Sequence, residues 1–349
     1  MIEWVEIQGF RAFRQLRMDG LTAVNLLVGA NNSGKTALLE AIEAVASTDS
    51  PFPLYRASLE RGEYARNDLG DLEIDVRHWF HGHKLEEGHT FELTASGGLR
   101  LRRSIQRVAA GEARRGFVPN GQMPTIERPG SRAALADLPL NADGRLGAGS
   151  AEHWVAHGLR LQPPVAFVTT DRLSPRELAR LWARVELTGA EQRTLDAIRI
   201  IEPNLQRLAF SELAIGKASS PKALLEGLDQ PVPLGTLGEG VTRMLTLALN
   251  LAVAAGGYLL IDELEQGLHW SAMPSLWRFV VSAAKELGVQ IFATTHSKDC
   301  LEGLAELHRI APELARRASV HRLSTDRESA VRFDAARIAE YVEMELEAR

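Results

Sequence analysis

The clearest change of pattern along the chain falls in its first fifty residues. Val24-Asn25-Leu26-Leu27-Val28 is a short, largely apolar run, and Ala37 to Val45 carries apolar residues at helical spacing. The first reads as a buried parallel strand and the second as a helix. Upstream, Trp4-Val5-Glu6-Ile7 alternates as a strand, a second strand is expected at Gln15 to Met18, and Gly20 turns the chain. The polar cluster Ser47 to Ser50 and Pro51 ends the helix. From Asp71 to Leu101 the pattern is that of antiparallel strands, with clean alternation at Leu72 to Val76 and Thr90 to Leu93. Arg102 to Ser150 is rich in Gly, Pro, Arg and Ala and holds no sustained period, so no long coiled-coil arm is expected there.

Pro163-Pro164 opens a new block. Val165 to Val168 reads as a short buried strand. Ser174, Pro175 and Glu177 form an N-cap, a first helical position and a capping box for a helix through Leu178, Leu181 and Trp182. A second helix is expected from Ala190 to Ile201, stopped by Pro203, with a strand returning at Asn204 to Leu213. A long apolar helix follows at Val241 to Ala254, then strands at Gly257 to Ile261 and Val289 to Ala293. No internal repeat is visible.

The 349 residues are 45% hydrophobic and 24% charged, the composition of a globular chain with a real core. A net charge of -5 confines any nucleic-acid site to a local patch. The single cysteine, Cys300, excludes an internal disulfide and points to a cytoplasmic setting; it reads as a packing residue. The longest apolar runs fall well short of the roughly 20 residues that span a bilayer, so no membrane association is expected.

Between the first strand and its helix stands Gly29-Ala30-Asn31-Asn32-Ser33-Gly34-Lys35-Thr36, a complete G-x-x-x-x-G-K-T loop. Its glycines let successive backbone N–H groups face phosphate oxygens at the positive end of the helix dipole. Lys35 can reach the β- and γ-phosphates of a nucleoside triphosphate, and the Thr36 hydroxyl can bind Mg²⁺. Lys35 is expected to be exposed in the free protein. The strand Tyr258 to Ile261 runs into Asp262 and Glu263. Asp262 would hold the Mg²⁺ shell, and Glu263 would orient or deprotonate the attacking water. The strand Val289 to Ala293 ends in Thr294-Thr295-His296-Ser297, where His296 could sense the γ-phosphate. Gly238-Glu239-Gly240 opens the long apolar helix as a second candidate anion site, given weight by its place just before the Asp-Glu strand.

The order of these pieces resembles the ATP-binding-cassette (ABC) arrangement. Ile7 to Phe13 together with Asn25 to Thr36 is similar to the RecF/SMC branch. Asp262 to His269 and Ala293 to Ser297 resemble the overcoming-lysogenisation-defect (OLD) ATPases and their small stand-alone relatives. The resemblance covers roughly residues 1–50 and 163–325. It implies an α/β ATPase head: a mixed sheet flanked by helices, an inserted strand-rich and irregular region, and a helical lobe. The expected divisions are 1–70, 71–162, 163–235 and 236–349. It adds Arg11 to the nucleotide contacts and makes ATP and Mg²⁺ the cofactors. It also implies a homodimer in which the Gly238–Gly240 turn meets the partner's γ-phosphate. Two departures stand out. Gly238-Glu239-Gly240 occupies the place where the signature usually has a serine before its glycine pair, and Gln106 and Gln122 lie in the irregular region, so neither is assigned as the glutamine of the nucleotide switch loop. The roughly fifty residues after His296 are too few for the Toprim nuclease domain of OLD proteins.

Two functions are compatible with this set. One is an ATP-driven switch that controls a separate effector protein, such as a nuclease, in anti-phage defence or DNA maintenance. The other is a RecF-like clamp that grips DNA itself. Arg100, Arg102, Arg103, Arg107, Arg114, Arg115, Arg128 and Arg132, set against Glu112 and Glu127, are the residues that would hold phosphates. A transporter subunit is a weaker third reading, since no segment looks made to couple to a membrane protein.

Overall fold

The structure is a computed structural model that describes residues 1–47, 50–107, 122–127, 140, 144–147, 163–210, 221–333 and 338, without the side chains of 106, 107 and 122–127. Its centre is a six-stranded sheet. In spatial order the strands are β10 (Val165–Val168), β14 (Tyr258–Ile261), β15 (Gln290–Thr294), β3 (Val24–Val28), β16 (Ala318–Arg322) and β17 (Val331–Phe333). The first five run parallel and β17 is antiparallel. Parallel strands end at a common edge, so the loops after β10, β14, β15, β3 and β16 all open on one side of the sheet.

Both faces of this sheet are covered, which is why its strands read as continuous apolar runs. On β3, Leu27 faces one core while Val24, Leu26 and Val28 face the other. The first core holds the helix α1 (Lys35–Ala46), which lies between the central sheet and a five-stranded antiparallel sheet. That second sheet is ordered β2 (Phe13–Asp19), β1 (Trp4–Phe10), β6 (Thr90–Ala95), β7 (Leu99–Arg107) and β8 (Gln122–Glu127). The helix α2 (Phe52–Glu60) and a small sheet of β4 (Tyr64–Arg66), β5 (Leu72–Asp75) and β9 (Arg145–Gly147) close its end.

The opposite face carries α3 (Pro175–Trp182), α4 (Gly189–Arg199), α5 (Glu239–Val253), α6 (Met273–Leu287), α7 (Lys298–Ile310) and α8 (Pro312–Ala315). The small sheet β11 (Leu205–Ala209), β12 (Lys222–Leu225) and β13 (Val232–Pro233) lies in the same part of the chain. The capping box of α3 is formed as expected: Ser174 accepts from the Glu177 N–H while Glu177 accepts from the Ser174 N–H.

Several boundaries differ from the sequence reading. The strand β10, grouped by sequence with a helical lobe at 163–235, is the outermost strand of the central sheet. The strands β6 and β7, expected within an inserted region, complete the sheet that β1 and β2 begin. The strand expected to run to Leu213 ends at Ala209, and residues 211–213 lie outside the described residues. Arg103 is 1% exposed, with its pKa lowered to about 9 by burial, so it cannot belong to a phosphate-gripping surface. Arg114, Arg115, Arg128, Arg132 and Glu112 lie outside the described residues, as do the side chains of Arg107, Gln106, Gln122 and Glu127. Among the described residues no helix is long and apolar enough to cross a membrane.

Candidate functional site

At the common edge of the central sheet, the loop from Gly29 to Gly34 links β3 to α1. The loop needs its glycines. A Cβ on Gly29 would meet the Leu323 carbonyl oxygen at 2.6 Å, and one on Gly34, whose φ is 91°, would meet the Phe13 ring at 2.5 Å. Lys35 is 5% exposed, not exposed as the sequence suggested. Its Nζ folds back to donate to the carbonyls of Gly29 at 2.8 Å and Ala30 at 3.0 Å. Burial lowers its pKa, against the opposing pull of Asp262, Glu263 and Glu265.

The adjacent strand ends bring the acidic pair to this loop. Thr36 Oγ1 donates to Asp262 Oδ2 at 3.0 Å, and Thr294 Oγ1 donates to Asp262 Oδ1 at 2.5 Å. Thr294 Oγ1 also accepts the Glu263 N–H at 2.8 Å, and the Thr294 carbonyl accepts the Leu264 N–H at 3.0 Å. Glu263 has a φ of 52°, a left-handed conformation that costs about 1–3 kcal/mol for a residue with a side chain. A buried arginine helps to hold it. Arg243 of α5 donates from Nη1 to the Thr169 carbonyl at 2.8 Å, and from Nη2 to the carbonyls of Asp262 at 2.9 Å and Glu263 at 2.7 Å. His296 is exposed at the end of β15, and its backbone N–H donates to Glu265 Oε1 at 3.1 Å.

These pieces open on a cleft of about 1080 Å³. Asn31 to Thr36, Glu263 and His296 line it, and so do Arg11 and the histidines His78, His81 and His83. The volume matches the upper range of small-molecule sites. Arg11 is already committed: Nε lies 2.7 Å from Glu40 and Nη1 lies 2.6 Å from Glu63. Arg61 joins the same cluster, its Nε 2.7 Å from Glu40. Arg11 therefore borders the cleft as part of a buried ion-pair network behind α1.

The donor set fits a hard cation. Two cis ligands of an octahedral Mg²⁺ stand about 2.9 Å apart. The Thr36 and Asp262 oxygens already stand 3.0 Å apart. Among the described residues no cluster of three or more His, Cys, Asp or Glu could hold a metal by itself.

Gly238, Glu239 and Gly240 do not line this cleft. The turn sits at the start of α5, with Gly238 at a φ of 93°. A Cβ on Gly240 would meet the Gly267 carbonyl oxygen at 3.2 Å, so the turn packs against the loop that follows Glu263. Sequence reasoning missed Thr294, Arg243, Glu40 and Arg61. Arg243 did leave a signal, as the lone cation of a mostly apolar helix, between Val241 and Leu251.

The layered fold and this convergence of loop, acidic pair and histidine define an ABC-type ATPase of the RecF and SMC kind. The chain belongs to the family described as "AAA domain, putative AbiEii toxin, Type IV TA system", which matches residues 24–299. An "ATP/GTP phosphatase" of Helicobacter pylori is 23% identical over 342 residues, 88% of this chain and 89% of that protein. The "DNA replication and repair protein RecF" of Thermomicrobium roseum is 40% identical over 74 residues, 21% of this chain and 18% of RecF. Among solved structures, an SMC head bound to the C-winged helix domain of ScpA aligns with a TM-score of 0.54 at 12% identity, covering 97% of this chain and 99% of that one. A Pyrococcus furiosus Smc head gives 0.53 at 11% identity, covering 98% of each chain. These last two are likenesses of fold.

Proposed function

We propose that this protein is an ATP-hydrolysing switch that dimerises on ATP and controls a separate effector. The observation that carries the reading is the convergence of Thr36, at the start of α1, with Asp262 and Thr294, from two adjacent strand ends, at the Gly29–Thr36 loop. The backbone N–H groups of Gly29, Ala30, Asn31, Asn32, Ser33 and Gly34 would cradle the phosphates. Lys35 would leave its two loop carbonyls for the β- and γ-phosphates. Thr36 and Asp262 would hold Mg²⁺, which when bound neutralises phosphate charge. Glu263 would take the proton of the attacking water, and His296 would contact the γ-phosphate. The Gly238–Glu239–Gly240 turn lies outside its own cleft, which supports a head-to-tail dimer in which each turn completes the partner's site. The likeness to an "ATP/GTP phosphatase" supports hydrolysis, and the family's toxin–antitoxin description supports a defence role. Kinship with stand-alone OLD ATPases rests on Asp262 to His269 and would make the effector a separate chain such as a nuclease.

The RecF-like reading, a direct DNA clamp, is favoured by local matches to RecF proteins over 46 to 134 residues, and it loses Arg103 to the core. The Glu263→Gln variant separates monomer from switch. It keeps the shape of the carboxylate but cannot accept the proton, so ATP should trap a dimer that light scattering detects, with hydrolysis lowered about 10²–10⁴-fold. No ATP-dependent change in mass, together with hydrolysis at the wild-type rate, would refute the assignment.

A further inference from the structure

Gly238 leaves the signature turn without a hydroxyl to offer a phosphate. A cation stands beside it. Arg172 lies in the loop after β10, at the same edge of the central sheet as the phosphate loop. Its Nε and Nη2 lie 3.2 Å and 3.0 Å from Glu239 Oε1, and Nη1 makes no hydrogen bond among the described residues. The Arg172 side chain is 69% exposed and that of Glu239 is 48% exposed. An ion pair this open contributes little, so the guanidinium can exchange the carboxylate for a more highly charged phosphate.

The base of this arginine is fixed. Arg243, one turn into α5, donates to the Thr169 carbonyl in the Arg172 loop and to the carbonyls of Asp262 and Glu263. One buried guanidinium thus locks the Arg172 loop, the signature helix and the acidic strand end together. Arg172 and Glu239 line one shallow depression with Thr242 and Gln266, and neither reaches the cleft of its own chain. A preorganised, half-satisfied cation on that surface has no phosphate to serve within one subunit.

We propose that Arg172 is a catalytic residue supplied in trans, an arginine that grips the γ-phosphate bound by the partner's phosphate loop. The proposal rests on the ATP-dimer reading above. In the step it assists, the water oxygen bonds to the γ-phosphorus and loses a proton to Glu263. The bond from that phosphorus to the bridging oxygen breaks, and the bond's electron pair leaves with ADP. Arg172 would neutralise charge on the γ-phosphate oxygens as the bond breaks.

The test uses two full-length variants that fail for different reasons. Arg172→Ala should lower hydrolysis on the order of 10³-fold, with the ATP affinity of the dilute, unpaired chain by calorimetry unchanged because Arg172 is outside its own cleft. Glu263→Gln is also inactive. When the two are mixed before ATP is added, each heterodimer holds one site with Glu263 from one chain and Arg172 from the other. If half the dimers are mixed and one site in two is whole, about a quarter of the wild-type rate returns. A mixture no faster than its components overturns the trans role, because an arginine acting within its own chain gives no rescue. The Arg172→Ala, Glu263→Gln double variant should still assemble with ATP. If it stays monomeric while Glu263→Gln alone dimerises, Arg172 is an assembly residue and the catalytic role fails. If Glu263→Gln alone does not dimerise, the dimer reading and this proposal fall together.

Discussion

His321 shows how much one buried residue can matter away from the site. It lies fully buried on β16, and its Nε2 is 2.9 Å from Ser319 Oγ. Ser319 Oγ is also 3.1 Å from Asn25 Oδ1, so the imidazole ends a buried polar chain. Nδ1 has no partner. Burial, with a smaller contribution from Arg332, lowers the His321 pKa from 6.5 to about 4. The unfolded chain therefore takes up this proton before the folded one does. Above pH 6.5 both states are neutral and the residue adds no pH dependence. As pH falls from 6.5 towards 4, folding stability is lost, by about 3 kcal/mol across the window. Urea denaturation at stepped pH should show this slope in the wild type and a shallower one in His321→Gln. Equal slopes in the two proteins would show that His321 titrates normally in the folded state.

At the scale of elements, the site depends on how strand ends are tied to helices. Arg243 is the tie between α5 and the ends of β10 and β14. Replacing it with Met leaves three carbonyls without their charged donor. The expected loss is roughly 2–4 kcal/mol of stability. The kcat should fall as well, with ATP affinity preserved, because Arg243 holds the backbone of Glu263 and touches no part of the phosphate loop. Arg243→Lys should recover little, since an ammonium cannot span three carbonyls as a planar fork does. Thermal melts and a kcat against KM comparison check this; an unchanged kcat in Arg243→Met would remove the arginine from the positioning of Glu263. The sequence made some of this arrangement legible and hid the rest, for a physical reason. The phosphate loop, the Asp262-Glu263 strand and the Ser174 cap are local patterns whose chemistry lies within a few consecutive residues. Arg243, Thr294 and Arg172 act on residues 19, 32 and 67 positions away. Their roles appear only once the parallel sheet brings the strand ends to one edge. Lys35 is buried where the sequence pattern predicts exposure, because its loop, not solvent, accepts its hydrogen bonds in the free protein.

At the scale of the whole molecule, two cores share the central sheet, so the cleft edge is held from both sides. The signature turn and Arg172 lie on that edge but outside the cleft. On the proposed dimer reading, a subunit built this way carries all the groups for hydrolysis but does not place them around one phosphate. Its kinetics should report that. If the cleft of one chain were sufficient, the rate per chain would not depend on protein concentration. If each site needs a turn and an arginine from a second chain, the rate per chain should rise nearly in proportion to concentration when dimers are scarce. It should then level off once most chains are paired. Saturating ATP is needed throughout, so that nucleotide binding does not limit pairing. Dilution of wild-type protein into ATP, followed by phosphate release over a hundredfold range of concentration, measures this directly. Lys35→Ala should stay inactive at every concentration, which separates loss of the loop lysine from loss of pairing. A constitutive dimer formed through another surface would give a flat profile at all accessible concentrations. In that case the Arg172→Ala and Glu263→Gln mixture, prepared by refolding the chains together, still shows whether the site draws on both subunits. A flat profile from a protein that scatters light as a monomer in ATP would mean that one chain hydrolyses ATP alone, and that Gly238, Gly240 and Arg172 serve some other purpose.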